Sequence, residues 1–422
     1  MRRNRSAIGT PVVMVLLTGA MGLSMMHFFL LGALGPQVVR TLSLSPTLLG
    51  ATTTVSCAVA ALSSPLSGRM VDRVGPRRSL VVLMATAAAA LLLIGVAPGP
   101  LVLLASVALG GLAQALANPA TNSAIAADAP AEHRALITGV KQSGVQLAAL
   151  AAGLPLAWLS AAAGWRVVAW VMAAVAAGAA LWGALALPVD RIDRTGRPTA
   201  PRPPLLPRGT VAWLLVLSVP LGGGIACVNT YITLYATDEL GLGDTQAAAL
   251  VAVVGGAGIV GRMACSRAAR SPQRTRELPA LLLTGSVVAT LLLAFTVQLP
   301  LLVWFAAAAI GLCAVSVNAV TMMLVLQDTP PEQAGHDSAM VSAGFFAGFA
   351  LTPPLFGLLV DSSGRWTTGW LLVAAEFTGA ALLATAWRLR EAGRARRSRP
   401  VPPGATGAPG ADRGEDQGRR GE

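Results

Sequence analysis

The sequence predicts an all-α membrane protein with twelve transmembrane helices in two pseudo-symmetric six-helix bundles. Three observations lead there. The 422-residue chain is 54% hydrophobic and only 12% charged, against about 25% charged residues in an average soluble domain. Its apolar residues gather into twelve runs, each near the roughly 20 residues that a helix needs to cross a bilayer. Parts of the chain also recur at an offset of 200 positions. The same composition excludes a soluble enzyme, an intrinsically disordered chain and a disulfide scaffold.

The first six apolar segments cover residues 10–34, 46–67, 79–97, 101–126, 136–161 and 165–187. Arg2, Arg3 and Arg5 precede the first segment, as in a signal peptide. That segment is too long for one and lacks a small-x-small cleavage site, so it reads as a membrane helix. Residues 188–209 are rich in Arg and Pro and cannot cross a membrane, so they form a linker between residues 1–187 and 210–389. The second six segments cover 210–237, 245–265, 278–297, 301–327, 338–360 and 367–388. Residues 390–422 are rich in Arg, Gly and Pro and read as a disordered tail.

The net charge of +12 is a topology signal. With the N-terminus inside, 27 arginines fall in inner loops and tails, against Arg40, Arg166 and Arg365 outside. This follows the positive-inside rule, so both termini are expected in the cytoplasm and the chain in the inner (plasma) membrane. Nucleic-acid binding loses its support. The basic cluster at 388–399 could touch anionic lipid, although a plain stop-transfer flank is the blander and better-supported reading. Cys57, Cys227, Cys265 and Cys313 stand alone, with no metal-ligand spacing.

The repeat is clearest after the fourth segment of each half. Asn118, Thr121, Asp128, Pro130 and Glu132 recur as Asn318, Thr321, Asp328, Pro330 and Glu332. Gly144 recurs as Gly344, and Gly164-Trp165-Arg166 as Gly364-Arg365-Trp366; Gly68-Arg69-Met70 is echoed by Gly261-Arg262-Met263. The chain reads as a duplicated six-helix unit.

Between the second and third segments lies Gly68-Arg69-Met70-Val71-Asp72-Arg73-Val74-Gly75-Pro76-Arg77-Arg78. So short a turn needs a residue free to adopt positive φ, which Gly75 supplies. Gly68 would let a neighbouring helix approach closely. Asp72 ends a helix, where the macrodipole disfavours an anion, so it needs a compensating partner. This loop, with six helices on either side of a basic linker, resembles the major facilitator superfamily of secondary transporters. Pro76 departs from the motif, and the basic pair follows at Arg77 and Arg78. The resemblance implies that Asp72 latches onto the start of the eleventh helix near Ser338 and closes the inner side; a solvated turn charge is the plainer alternative.

Ionisable groups inside a membrane are costly and mark function. Three stand out: His27, Lys141 and Glu376. The resemblance implies that the first, fourth, seventh and tenth helices line a cavity. His27, Gln114, Asn118, Asn122, Asn229, Tyr231 and Asn318 are candidates to line it, with Tyr235 and Thr321 nearby. For each, packing or an interhelical hydrogen bond is the bland alternative. Gln114, Asn118 and Asn122 share one helix face at i, i+4 and i+8. Lys141, the only lysine among 31 basic residues, sits beside Gln142 and suggests an anionic substrate partner; snorkelling to the inner surface is its alternative. Glu376 is a candidate for proton coupling, with an interhelical hydrogen bond as the plainer reading.

A secondary transporter for a small solute is therefore expected: an organic anion, coupled to protons, carried by a monomer as symporter or antiporter. Gly144 and Gly153 begin the glycine pattern of drug antiporters, which then breaks at Ala157-Trp158. Multidrug or metabolite efflux is the alternative, and a non-transporting sensor or scaffold a remoter one. No phosphate-binding loop Gly-x-x-x-x-Gly-Lys occurs, and no helix pairs acids or histidines at i, i+4, so ATP-driven transport, enzymatic activity, cofactors and metals are not expected.

Overall fold

The computed structural model describes residues 10–128, 134–187, 208–269, 271–329 and 334–397. Side chains are not described at 10, 65, 72, 126–128, 134–136, 139, 272, 326, 334–336 and 391–397. Residues 188–207 of the expected linker, the arginines at 2, 3 and 5, and the chain beyond 397 lie outside the described residues. So do the side chains of Asp72, Asp128, Pro130 and Glu132, and residues 330–333.

The described chain is all helix. In order, the elements are α1 (Thr10–Ala33), α2 (Gly35–Leu42), α3 (Pro46–Val74), α4 (Pro76–Val96), α5 (Pro100–Asp128), α6 (Arg134–Gly153), α7 (Pro155–Ala163) and α8 (Trp165–Ala186). The second half holds α9 (Thr210–Asp238), α10 (Asp244–Ala268), α11 (Pro272–Leu293), α12 (Leu302–Asp328), α13 (Ala334–Ser363) and α14 (Trp366–Arg397). Among the described residues, twelve spans are long and apolar enough to cross a membrane. Large apolar side chains such as Leu62, Trp158, Leu185 and Leu355 are exposed on the outside, where hydrocarbon is as good a solvent as a protein core. The chain is a multi-pass membrane protein. An even number of spans brings residues 10 and 397 to one face, called here the terminal face.

Local sequence sets the helix ends. Ser45 caps α3 by accepting from the Leu48 N–H at 3.2 Å, and Ser271 caps α11 by accepting from Arg274 at 3.3 Å. Gly75 joins α3 to α4 at φ 93°, as the loop demanded. The repeat-related Gly164 and Gly364 make the corresponding turns at φ 85° and 64°.

Three expectations need correction. The fifth segment is not one helix: the chain breaks at Leu154, because Pro155 lacks an N–H and its ring excludes helical geometry from the residue before it. The tail does not begin at 390, since α14 continues to Arg397 through a stretch rich in Arg and Ala, both good helix formers. A short helix, α2, extends the first span and carries Arg40.

Glycines let the helices within each half meet at backbone distance. A Cβ on Gly144 of α6 would lie 2.1 Å from the Thr18 carbonyl of α1, and one on Gly22 would lie 2.9 Å from the Gly144 carbonyl. The second half repeats this contact between α9 and α13: a Cβ on Gly344 would meet the Leu215 carbonyl at 2.4 Å, and one on Gly222 the Phe345 carbonyl at 2.2 Å. Equivalent positions 200 apart thus make equivalent contacts.

The halves meet along α3 with α13 and along α6 with α10. Among the described residues, every hydrogen bond between them lies toward the face opposite the termini. Arg40 pairs with Asp244, and Asp361 accepts from Thr47. Thr54 donates to the Ala350 carbonyl at 2.5 Å, Thr233 to the Gly32 carbonyl at 2.5 Å, and Thr53 and Thr230 are 3.1 Å apart. Gly68, expected to admit a neighbouring helix, has nothing within 4 Å of a would-be Cβ. Its end of α3 lies far from the seal that holds the halves together.

Candidate substrate cavity

Four elements of one half and two of the other surround a cavity of about 80 Å³ between the halves. Helical spacing places the lining. Met25, Phe28 and Phe29 share a face of α1, Ile225 and Asn229 one of α9, and Phe345 and Phe349 one of α13. α6 adds Gln146, α12 adds Asn318, and α10 adds Gly255 and, two turns on, Arg262.

Most of the wall is apolar, and four of its residues are phenylalanines. Phe28 and Phe349 meet across the halves with ring centroids 5.7 Å apart, and Phe345 packs on Phe349 at 4.8 Å. The polar groups are few, and some are unsatisfied. Asn229 donates to the Ile225 carbonyl at 2.9 Å, which leaves its side-chain oxygen as an acceptor. Gln146 is buried with no partner on Oε1, and Arg262 has none on Nε. Among the described residues, no carboxylate forms an ion pair with Arg262.

Arg262 and Gln146 were missed by sequence reasoning. Arg262 looked like a loop residue, one of a run of five arginines between two spans. The helix continues six residues past it to Ala268, or ~9 Å at 1.5 Å per residue. It is therefore a further ionisable group within a span. Its signal was the echo of Gly68-Arg69-Met70; of these, Arg69 is exposed while Arg262 lines the cavity. Gln146 follows Gln142 by one helical turn on α6.

Of the anticipated lining residues, Asn229 and Asn318 reach this cavity. His27 does not. Its Nε2 is 2.7 Å from Ser56 Oγ, and Ser56 reaches Gln114 Oε1 at 3.5 Å, so imidazole and amide belong to a polar chain inside the first half. That chain borders a separate void of about 10 Å³, room for about one water. Tyr231 is also elsewhere: its hydroxyl lies between the Pro46 carbonyl at 2.8 Å and the Pro353 carbonyl at 2.7 Å, in the seal. Its ring stacks on Phe356 with centroids 4.3 Å apart. Tyr235 bonds to Thr296 and to the Leu293 carbonyl, and Thr321 closes on its own helix through the Asn318 carbonyl.

Lys141 lies outside both cavities. It is fully buried and donates to Thr121 Oγ1 at 2.7 Å and Asn122 Oδ1 at 2.5 Å on α5. Gln142 donates to Asn118 at 3.3 Å, so two adjacent α6 side chains grip the polar stripe of α5. Asn118 and Asn122 are exposed, on the part of α5 nearest the terminal face. Glu376 sits within the second half, where Oε1 accepts from Thr352 at 2.8 Å and Oε2 has no partner. A Cβ on Gly223 would lie 2.1 Å from that oxygen, so only glycine leaves room for the carboxyl beneath α9.

In the loop motif, Arg77 donates to the Ala184 carbonyl at the end of α8, tying the start of α4 to it. Arg73 and Arg78 are exposed. Among the described residues, no cluster of three metal-ligating side chains occurs.

A family model described as Major Facilitator Superfamily matches residues 16–341 and 279–413. A comparison with curated protein sequences finds no match. Solved structures with a similar fold include a bacterial homolog to the human lysosomal transporter Spinster, in an inward-facing and occupied conformation. It has a TM-score of 0.71 and 16% identity, covering 93% of this chain and 98% of that one. The nucleoside transporter NupG aligns with a TM-score of 0.72 and 14% identity over 89% of this chain and 99% of its own. A D-xylose-proton symporter aligns at 0.70 and 17% over 88% and 97%.

Proposed function

The chain belongs to the major facilitator superfamily, and on that premise we propose that it is a secondary active transporter of a small organic anion. The observation that carries this reading is a cavity at the junction of the halves that holds Arg262 with no carboxylate partner among the described residues, beneath a seal on one face. Rocking the halves about this cavity would break the seal on the face opposite the termini and form one at the terminal face. The positive-inside distribution supports a cytoplasmic terminal face in a cell's plasma membrane, which makes this an inward-open state. The likeness to a proton symporter and the buried carboxyl of Glu376 support proton coupling.

Asp72 is the inner latch of this scheme. Placed at the C-terminal end of α3, it gains a favourable field only by reaching the N-terminus of α13 when the terminal face closes. Asp72→Asn should cut uptake severalfold while leaving membrane insertion and thermal stability near wild type; unchanged uptake removes the latch.

The test of the whole reading is uptake of radiolabelled carboxylates into proteoliposomes, with and without an imposed proton gradient. Accumulation that follows the gradient supports the proposal. Equal uptake into protein-free vesicles for every carboxylate tried overturns it.

A further inference from the structure

We infer that Arg262, Gln146 and the phenylalanines of the wall form a binding site for a monocarboxylate with a flat apolar body, the carboxylate on Arg262 and the body packed against Phe28 and Phe349. The inference rests on the transport reading for its importance, but its geometry stands on the cavity alone.

The charge comes first. A guanidinium in a low-dielectric wall needs an anion or a set of acceptors. Here the neighbouring polar groups that line the cavity are amides, and no carboxylate of the described chain pairs with Arg262. Its Nε is buried without a partner, and an unpartnered buried donor is a rarity in folded proteins. Gln146 on the facing helix also lines the cavity; its Oε1 can only accept, so toward a carboxylate its amide would act through the Nε2 donor. An incoming carboxylate would occupy the planar fork of the guanidinium, a geometry that a lysine cannot reproduce.

Shape and polarity decide the rest. The cavity is mostly apolar, with phenyl rings contributed by α1 of one half and α13 of the other. Gathered rings favour an offset or edge-on partner with centroids 4.5–7 Å apart, so a planar apolar group fits where a sugar's hydroxyls would lose their hydrogen bonds. With one cationic residue in the wall, a single carboxylate is matched and a second would be buried unpaired. A cationic amphiphile would face Arg262 directly and is disfavoured by like-charge repulsion.

The site also explains the position of Gly255. It lies seven residues before Arg262 on the same face of α10, and a Cβ there would meet Ala149 Cβ at 2.9 Å and the Gln146 carbonyl at 3.1 Å. Close approach at Gly255 brings α10 and α6 together, so that Arg262 and Gln146 line the same cavity.

The probe is phenylacetate, with acetate and 2-phenylethylamine as the two half-matches, measured by calorimetry on the purified full-length protein in nanodiscs. Phenylacetate is expected to bind wild type at least tenfold more tightly than either half-match. Arg262→Gln should weaken it at least tenfold, and Arg262→Lys should recover only part of the loss. Gln146→Leu and Phe349→Ala, which leave the arginine in place, should each weaken it severalfold and guard against a misfolded Arg262 variant. Equal binding of the amine, no binding of phenylacetate to wild type, or undiminished binding in a folded Arg262→Gln protein overturns the inference. The two readings separate cleanly. Binding with this pattern but no flux of any carboxylate removes the transport reading and leaves the site; flux that is indifferent to Arg262→Gln removes the site and leaves transport.

Discussion

Asp361, two residues before the end of α13, accepts hydrogen bonds from both the backbone N–H of Thr47, at 3.1 Å, and the Thr47 hydroxyl, in the first turn of α3. An acidic residue at a helix C-terminus is disfavoured by the macrodipole; placed on another helix's N-terminus it is favoured. The two helices cross the bilayer in opposite directions, and Gly357 lets them touch: its Cβ would lie 2.6 Å from Thr47 Cα. Asp72 has the reciprocal position in the sequence, at the C-terminal end of α3.

The Asp361–Thr47 contact should therefore favour the state sealed opposite the termini. A carboxylate on a helix N-terminus contributes about 0.3–2 kcal/mol, so Asp361→Asn should shift the balance between states by up to about thirtyfold. A cysteine placed at Thr53, inside the seal, should react with a water-soluble maleimide severalfold faster when Asp361 is changed. An unaltered labelling rate would mean that the contact does not hold the seal.

Gly144→Leu should destabilise the protein, because even a Cβ would be 2.1 Å from the Thr18 carbonyl. Forcing atoms into so close a helix contact costs about 1–3 kcal/mol or more. Gly178→Ala, with nothing within 4 Å, is the matched control and should be neutral or mildly stabilising. Thermal unfolding in detergent compares them; equal melting temperatures would contradict the close-packed interface.

Glu376→Gln should separate coupling from movement. Gln keeps an acceptor for the Thr352 hydroxyl but cannot take up and release a proton. Exchange of labelled for unlabelled solute should persist, while accumulation driven by a proton gradient should fall at least fivefold. If accumulation survives, Glu376 is an interhelical hydrogen-bonding group and no more.

Lys141→Ala should act on stability more than on solute affinity. The ammonium holds Thr121 and Asn122 of α5, and removing it leaves both without that donor at a cost of about 1–3 kcal/mol. Melting temperature should drop, while the affinity of the folded fraction stays within about twofold. A large affinity loss with an intact melting temperature would return Lys141 to the substrate.

Composition and spacing carried the number of spans, the division into halves and the turn at Gly75. Each follows from local rules: a bilayer needs a set length of apolar helix, and a tight helix junction needs positive φ. The repeat was legible too, down to Gly144 and Gly344, because duplicated contacts keep duplicated residue types. Side-chain destinations were not legible. His27, Asn229 and Tyr231 all looked like polar residues on lining helices, yet they went to a polar chain within one half, to the cavity and to the seal respectively. A helix presents several faces to different neighbours, and sequence periodicity says which residues share a face but not what that face meets. Arg262 was hidden for a related reason, since a basic residue near a span's end reads as a flank unless the length of helix beyond it is known. Which groups converge between the halves depends on how twelve helices pack and rotate against one another, and only the tertiary structure decides that.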